Sequence, residues 1–322
     1  MSTFDSQYFL GIDTSNYTTS VAVFRSDSRE VIHRKKLLPV KSGQLGLRQS
    51  DAVFHHTQRL HVLVKELFEQ FDVPPKLTAI GVSEKPRDED GSYMPCFTVG
   101  VNTANILSSV LNVPVYYFSH QAGHIASAIY SSGAEYLYEN EFIAFHVSGG
   151  TTEAVLVKPD CQKVFKTRII GKTLDLHAGQ AIDRVGVSMG LPFPSGRELE
   201  ELALKCNDTV SVKTCIKHTD CCLSGIENIC LKMLQNGEEK SKVALTCLMF
   251  IAKSIEAMCR NIFLKYGEKP VLFAGGVMSD RIIKDYLSSK FNCVFALPEF
   301  STDNACGTAV LAANRYLKEY KL

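Results

Sequence analysis

The 322-residue sequence has almost no net charge: 35 Lys and Arg stand against 34 Asp and Glu. That balance excludes a globally basic nucleic-acid coat and leaves only local basic faces for such a partner. Glycine and proline are scarce, at 21 and 11 residues, which excludes collagen-like and low-complexity chains. A membrane-length apolar run is missing. The apolar stretch Val243–Ala252 is about ten residues, is broken by Thr246, and falls far short of a span. Met1 to Asp13 carries no basic region and no long apolar run, so the expectation is no secretory signal and a cytoplasmic chain. None of the eleven cysteines forms a Cys-x-x-Cys pair. They read as reduced, mostly buried thiols. A zinc site in the cysteine-rich stretch from Cys206 to Cys230 is the minor alternative.

What remains is ordinary globular composition, 45% hydrophobic and 21% charged, with a mean hydropathy of +0.01. The length predicts about two domains and a core that needs no disulfide or metal to hold it. Tyr8 to Asp13 reads as a buried strand, Thr14 to Tyr17 as a polar turn, and Thr18 to Arg25 as a returning strand. A third strand is expected over Val31 to Val40 and a helix over 48–71, stopped by Pro74-Pro75. A strand over Leu77 to Ser83, a polar loop, a helix over Asn102 to Leu111 and a strand over Val113 to Phe118 follow. The pattern then restarts: strand Glu141 to Val147, glycine-rich turn Ser148 to Thr152, returning strand Glu153 to Lys158. Two strand-turn-strand openings point to an internal duplication with a cleft between its lobes. The second half is richer in helices, expected at 196–206, 224–235, 240–265, 280–289 and 304–320, with strands Pro270 to Ala274 and Cys293 to Ala296. Gly149-Gly150 and Gly275-Gly276 each follow a strand, where a phosphate can approach main chain closely; a tight strand-to-helix turn explains them equally well.

Ser119-His120-Gln-Ala-Gly-His124 is the sharpest local signal. Ser119 suits an N-cap, and residues four apart lie on one helical face, so both imidazoles reach one ion or both sit on an exposed first turn. A His-x-x-x-His zinc peptidase needs glutamate at the second position; Gln121 stands there and takes no proton. Asp303, at an expected helix start, is either a third ligand or an N-cap. Two histidines and a carboxylate suit iron(II) or zinc. Asp183 lies eight residues after Asp175, so both share a face if the segment is helical. With the nearby Pro194-Ser-Gly196 turn, Asp183 forms a plausible ribose site or merely a surface helix and turn.

The ordered set Gly11-Ile-Asp-Thr-Ser15, His120-x-x-x-His124, Val147-Ser-Gly-Gly150, Ala178-Gly-x-Ala-x-Asp183, Pro194-x-Gly196, Phe273-Ala-Gly-Gly-Val277 and Thr302-Asp-Asn-Ala305 resembles the tRNA threonylcarbamoyladenosine transferase family, once called glycoproteases. The resemblance covers about residues 8–320. It implies an α/β, two-lobed actin-like ATPase fold of duplicated domains, here divided as 1–112 and 113–322, the second with helical insertions. It implies transfer of a threonylcarbamoyl group from threonylcarbamoyl-adenylate to the exocyclic amine of the adenosine beside the anticodon of tRNA, with loss of AMP. By position, His120, His124 and Asp303 would hold one divalent metal, iron(II) or zinc. His146, Val147, Ser148, Gly149 and Gly150 would line the phosphate and acyl region, and Asp183, Gly196 and Asp280 the adenosine part. No covalent nucleophile is required. Partners would be tRNA and companion proteins of the pathway, among them a catalytically idle relative, and no membrane.

The chain departs from the family's pattern at the first turn, Asn16-Tyr17-Thr18-Thr19, which lacks a carboxylate pair, and at Thr151, Gln180 and Asp280, which replace histidine, glutamate and asparagine. These changes keep open a non-catalytic, nucleotide-binding paralogue that pairs with a partner, or a transferase of the same fold acting on a small molecule. Basic clusters stand at Arg34, Lys35, Lys36, Lys41 and Arg48 and at Lys163, Lys166, Arg168 and Lys172. They are either a tRNA face or solvated surface.

Overall fold

A computed structural model describes residues 6–15, 17–39, 47–297, 300 and 304–320. The chain divides into two compact units. One comprises Met1–Glu139, Lys158–Thr167 and Glu299–Leu322; the other comprises Asn140–Val157 and Arg168–Pro298.

The first unit is built on strands β1 (Tyr8–Ser15), β2 (Thr18–Arg25), β3 (Val31–Leu37), β4 (Leu77–Lys85) and β5 (Val115–Ser119), in the order β3-β2-β1-β4-β5. β1, β2 and β3 pair antiparallel, while β4 runs parallel to β1 and to β5. The central strand β1 alternates between two helical layers. Leu10 and Ile12 join a core with Leu60, Leu63 and Leu67 of α1 (Gln49–Phe68) and Ala104 of α2 (Phe97–Leu111). The odd positions face α9 (Ala305–Tyr320): Phe9 meets Tyr316 edge-on at 5.7 Å, and Gly11 lies so close that a Cβ would fall 2.0 Å from the Ala305 carbonyl oxygen. The period of two therefore places Asp13 on that same face, at the N-terminal end of α9. α3 (His120–Ser132) packs beside α9 and starts directly after β5.

The second unit repeats the plan. Its strands β6 (Phe142–Val147), β7 (Thr152–Asp160), β8 (Val164–Lys172), β11 (Val271–Ala274) and β12 (Cys293–Phe295) lie in the order β12-β11-β6-β7-β8. β6 and β7 are antiparallel, and β11 is parallel to both β6 and β12. This is the strand order of the first sheet, read β8-β7-β6-β11-β12, so the duplication expected from the two hairpins is real. Residues 158–167, at the far end of the β7–β8 hairpin, count with the first unit. One face of this sheet, with Ile143, Phe145 and Val147, packs on α4 (Ala178–Ser188), α5 (Gly196–Ala203), α6 (Gly225–Gln235), α7 (Lys240–Tyr266) and α8 (Arg281–Ser288). A short hairpin, β9 (Cys215–Lys217) and β10 (Asp220–Cys222), precedes α6.

No described helix is long and apolar enough to cross a membrane. All eleven cysteines are free, six of them buried, and among the described residues no group of three or more His, Cys, Asp or Glu is clustered as metal ligands would be.

Candidate functional site

Two polar centres emerge, one in each unit. In the first, Ser119 caps α3 as its sequence suggested, its hydroxyl accepting from the Ala122 amide at 3.2 Å. The cap sets the helix phase and puts His120 and His124 on one face. Their Nε2 atoms lie 3.1 Å apart, with ring planes inclined by 73°. Two imidazoles bound to one ion at ~2.0–2.1 Å keep such a gap, so this pair fits a shared divalent cation. The third expected ligand, Asp303, lies outside the described residues.

Behind the pair stands Asp13, 1% exposed, with Oδ1 3.1 Å from His120 Nδ1. Burial pushes its carboxyl up, but the neighbouring His120 ring and hydrogen bonds from His120, Ser83 and Ser15 outweigh it and hold the acid well below its ordinary range. Asn304, just before α9, lies against Asp13, Ser83 and His120. Asp13 and Asn304 sit inside motifs quoted above, but no spacing rule assigns them a role because 291 residues separate them. Nearby, His56 of α1 is fully buried, its Nδ1 2.8 Å from the Thr19 hydroxyl, and burial pushes its pKa down to about 4, so it is neutral. Gln121 holds structure instead of proton chemistry: its Oε1 lies 3.0 Å from the Thr167 hydroxyl.

The second centre is a cavity of about 450 Å³ where the starts of α4, α5 and α8 approach the β6–β7 turn. Gly149, Asp183, Gly196 and Asp280 all line it, together with Gly276 and Arg197. Asp183 projects from α4 and accepts from the Ser195 amide at 2.8 Å, which seats the turn before Gly196. Asp280 caps α8, accepting from the Ile283 amide at 3.0 Å. Burial, opposed by that hydrogen bond and reinforced by nearby Glu200, pushes its pKa up to about 6. Arg281 is paired with Glu200 at 2.8 Å.

Of the other expected lining residues, Ser148 shapes the turn: its hydroxyl accepts from Gly150 and Thr151 amides at 3.3 and 3.1 Å. Val147 is buried in the core, while His146, its neighbour on the strand, points to the opposite sheet face and is half-buried. None of His146, Val147, Ser148 and Gly150 lines the cavity itself. Gly275 adopts φ +100° and packs so tightly that a Cβ would meet the Val147 carbonyl oxygen at 2.3 Å. Asp175 does not share a helical face with Asp183, because α4 starts only at Ala178. Instead, Asp175 accepts from the Leu223 amide at 2.7 Å and the Ser224 hydroxyl at 2.6 Å, tying the approach to α4 to that of α6.

The two basic clusters differ. Lys35 and Lys36 are exposed on the edge strand β3, and Lys41 is outside the described residues. Lys163 pairs with Asp88 at 3.8 Å and Lys166 with Asp160 at 2.8 Å, while Arg168 stacks over Tyr266. Two of the four basic residues of the second cluster are thus paired with carboxylates.

The family model described as tRNA N6-adenosine threonylcarbamoyltransferase matches residues 31–310. The protein of that name from Bacillus subtilis is 28% identical, covering 95% of this chain and 89% of its own length; that of Streptococcus thermophilus is 29% identical over 95% and 91%. A Thermoplasma acidophilum protein named as a probable bifunctional tRNA threonylcarbamoyladenosine biosynthesis protein is 26% identical, and the match takes in 87% of this chain and 50% of that one. Among solved structures, HypF from T. kodakarensis superposes with a TM-score of 0.57 at 12% identity, covering 98% of this chain and 48% of that one. Component A of the Acidaminococcus fermentans (R)-2-hydroxyglutaryl-CoA dehydratase superposes at 0.53, with 16% identity and 95% and 97% coverage. The likeness to these structures establishes the actin-like ATPase fold. With the family match over most of its length, the chain belongs to the tRNA N6-adenosine threonylcarbamoyltransferase family.

Proposed function

We propose that this protein transfers the threonylcarbamoyl group from threonylcarbamoyl-adenylate to the exocyclic amine of the adenosine beside the anticodon of tRNA, releasing AMP. The observation that carries this reading is the cavity of the second unit, which unites Gly149, Asp183, Gly196 and Asp280 from four separate segments. Carboxylates accept from ribose hydroxyls, and the open backbone at Gly149 and Gly150 suits a phosphate. The substrate is a mixed anhydride and already activated. The amine forms a bond to the carbamoyl carbon, the bond from that carbon to the phosphate oxygen breaks, and the amine sheds its proton. The protein's task is to place the two reactants, which contributes up to about 7–11 kcal/mol.

His120, His124 and Asp303 would hold one divalent metal, iron(II) or zinc, which when bound supplies positive charge for the acyl oxygen or the threonyl part. His146, Val147 and Ser148 shape the strand and turn that present Gly149 and Gly150. The exposed Lys35 and Lys36 supply part of the tRNA contact, and companion proteins of the same pathway, including a catalytically idle relative, supply more. The reaction takes place in the cytoplasm.

The test is a transfer assay with threonylcarbamoyl-adenylate, unmodified tRNA and a divalent metal, with and without the cell's companion proteins. Digested nucleosides are read by mass spectrometry, with H120A as control. Modified adenosine that disappears in H120A is the expected result. Adenylate binding without product, under conditions where another family member turns over, would replace this reading with that of a nucleotide-binding paralogue, which Thr151 and the carboxylate-free first turn favour.

A further inference from the structure

Behind His120, groups from β1, α3 and the start of α9 compete for one nitrogen. Asp13 Oδ1 lies 3.1 Å from His120 Nδ1. Asn304 Nδ2 lies 2.6 Å from the same Nδ1 and 3.1 Å from Asp13 Oδ1. Asp13 and Asn304 are almost wholly buried, and Asn304 Oδ1 has no hydrogen-bond partner among the described residues. Gly123 makes room for that amide: a Cβ there would lie 2.5 Å from Asn304 Oδ1.

A ring nitrogen of neutral histidine either donates or accepts. The Asp13 carboxylate only accepts, so its contact with Nδ1 is favourable when Nδ1 carries the proton. The Asn304 amino group only donates, so its contact is favourable when Nδ1 is bare. The two contacts therefore exclude each other, and the choice is transmitted across the ring. With the proton on Nδ1, Nε2 presents a lone pair toward the point it shares with His124. With Nδ1 bare, Nε2 carries the proton and donates to His124 Nε2, 3.1 Å away. The histidine pair then closes on itself and takes no cation.

We propose that Asp13 is a positioning residue that keeps the His120 proton on Nδ1 and so leaves Nε2 open to a divalent cation, while Asn304 favours the closed histidine pair. This rests on the reading that His120 and His124 bind a metal. The carboxylate has the advantage, because a hydrogen bond to an ionised group is roughly twice as strong as a neutral one. A carboxylate behind a ligating imidazole also raises the basicity of the ligand nitrogen.

The experiment has two arms. In the first, protein with ¹⁵N-labelled histidine is stripped of metal and its imidazole nitrogens are observed by NMR, with His120 assigned from its loss in H120Q. The expected result is a proton on Nδ1 in the wild type and on Nε2 in D13N. In the second, cobalt(II) alone is titrated and its visible ligand-field absorption recorded. D13N and D13A are expected to bind at least ~10-fold more weakly than the wild type, at a temperature where circular dichroism shows each metal-free variant fully folded. A wild-type His120 protonated on Nε2, or cobalt affinity and spectrum unchanged in both variants, would overturn the role of Asp13 alone. Failure of the wild type to bind cobalt would overturn the metal reading and the proposal with it.

Discussion

The two sheets share one strand order, yet their opening hairpins serve different chemistry. In the first, the strand before the turn carries a buried acid, Asp13, held by His120, Asn304 and neighbouring hydroxyls. In the second, the turn carries two glycines, and Gly149 opens onto a cavity lined by helix starts. One centre is made of buried side chains that hydrogen-bond one another. The other is made of backbone and of acids that cap or brace helices. The same frame supports both because a strand end beside a helix start offers unpaired main-chain groups, and the local residues decide whether side chains or a ligand satisfy them.

The largest test of this division is to disable one centre and assay the other. H120A or H124A should abolish stoichiometric metal binding and lower transfer by ~10²-fold or more, since a bound metal contributes several kcal/mol. Adenylate binding by calorimetry should change little. Loss of adenylate binding in H120A would show that the two centres are not separable.

A second test sets the paired glycines of the second unit against each other. G275A should lose several kcal/mol of stability in urea unfolding, because φ +100° strains any side chain and the Cβ would collide with the Val147 carbonyl. At G276A the added Cβ meets nothing within 4 Å, and stability should stay within ~1 kcal/mol of wild type. Equal losses would remove the claim that Gly275 alone is required by backbone geometry.

Asp280 sharpens the electrostatic contrast with Asp13. Its pKa stands at about 6 in the fold, against an ordinary 3.8, mainly because of burial. The folded chain therefore holds this proton more tightly than the unfolded one, and stability from this group is present below pH 4 and lost as pH rises to about 6. The loss is ~3 kcal/mol at most. D280N, which still caps α8, should flatten that slope and raise stability at pH 7.5 by ~1–2 kcal/mol. An unchanged slope in D280N would assign the pH dependence to other groups.

The smallest effect is expected at the basic faces. K35A/K36A should weaken tRNA binding and reduce the slope of log affinity against log salt by about 1. K166A should change neither much, because its partner Asp160 already balances it. A larger effect at Lys166 would move the tRNA contact to the β7–β8 hairpin.

Much of the architecture was legible from periodicity. The helix expected over 240–265 is observed as Lys240–Tyr266, since apolar residues recur on its buried faces throughout. The hairpins at both restarts were legible because small polar turns separate alternating apolar runs. β8 was not: Lys166, Arg168 and Lys172 occupy its exposed positions, so a strand read as a basic patch. α2 begins at Phe97, five residues before its expected start, because residues just beyond Pro95 join its first turn. β9 and β10, three residues each, are too short to show a period.

The sequence by itself determined the duplicated α/β frame, the capped histidine pair and the order of motifs, because each depends on residues near one another in the chain. The meeting of Gly149, Asp183, Gly196 and Asp280 at one cavity, and of Asp13 with Asn304 at one imidazole nitrogen, was decided only by the tertiary structure. Those contacts join segments up to 291 residues apart. Periodicity states which face a residue occupies, but only packing of one element on another states what lies across from it.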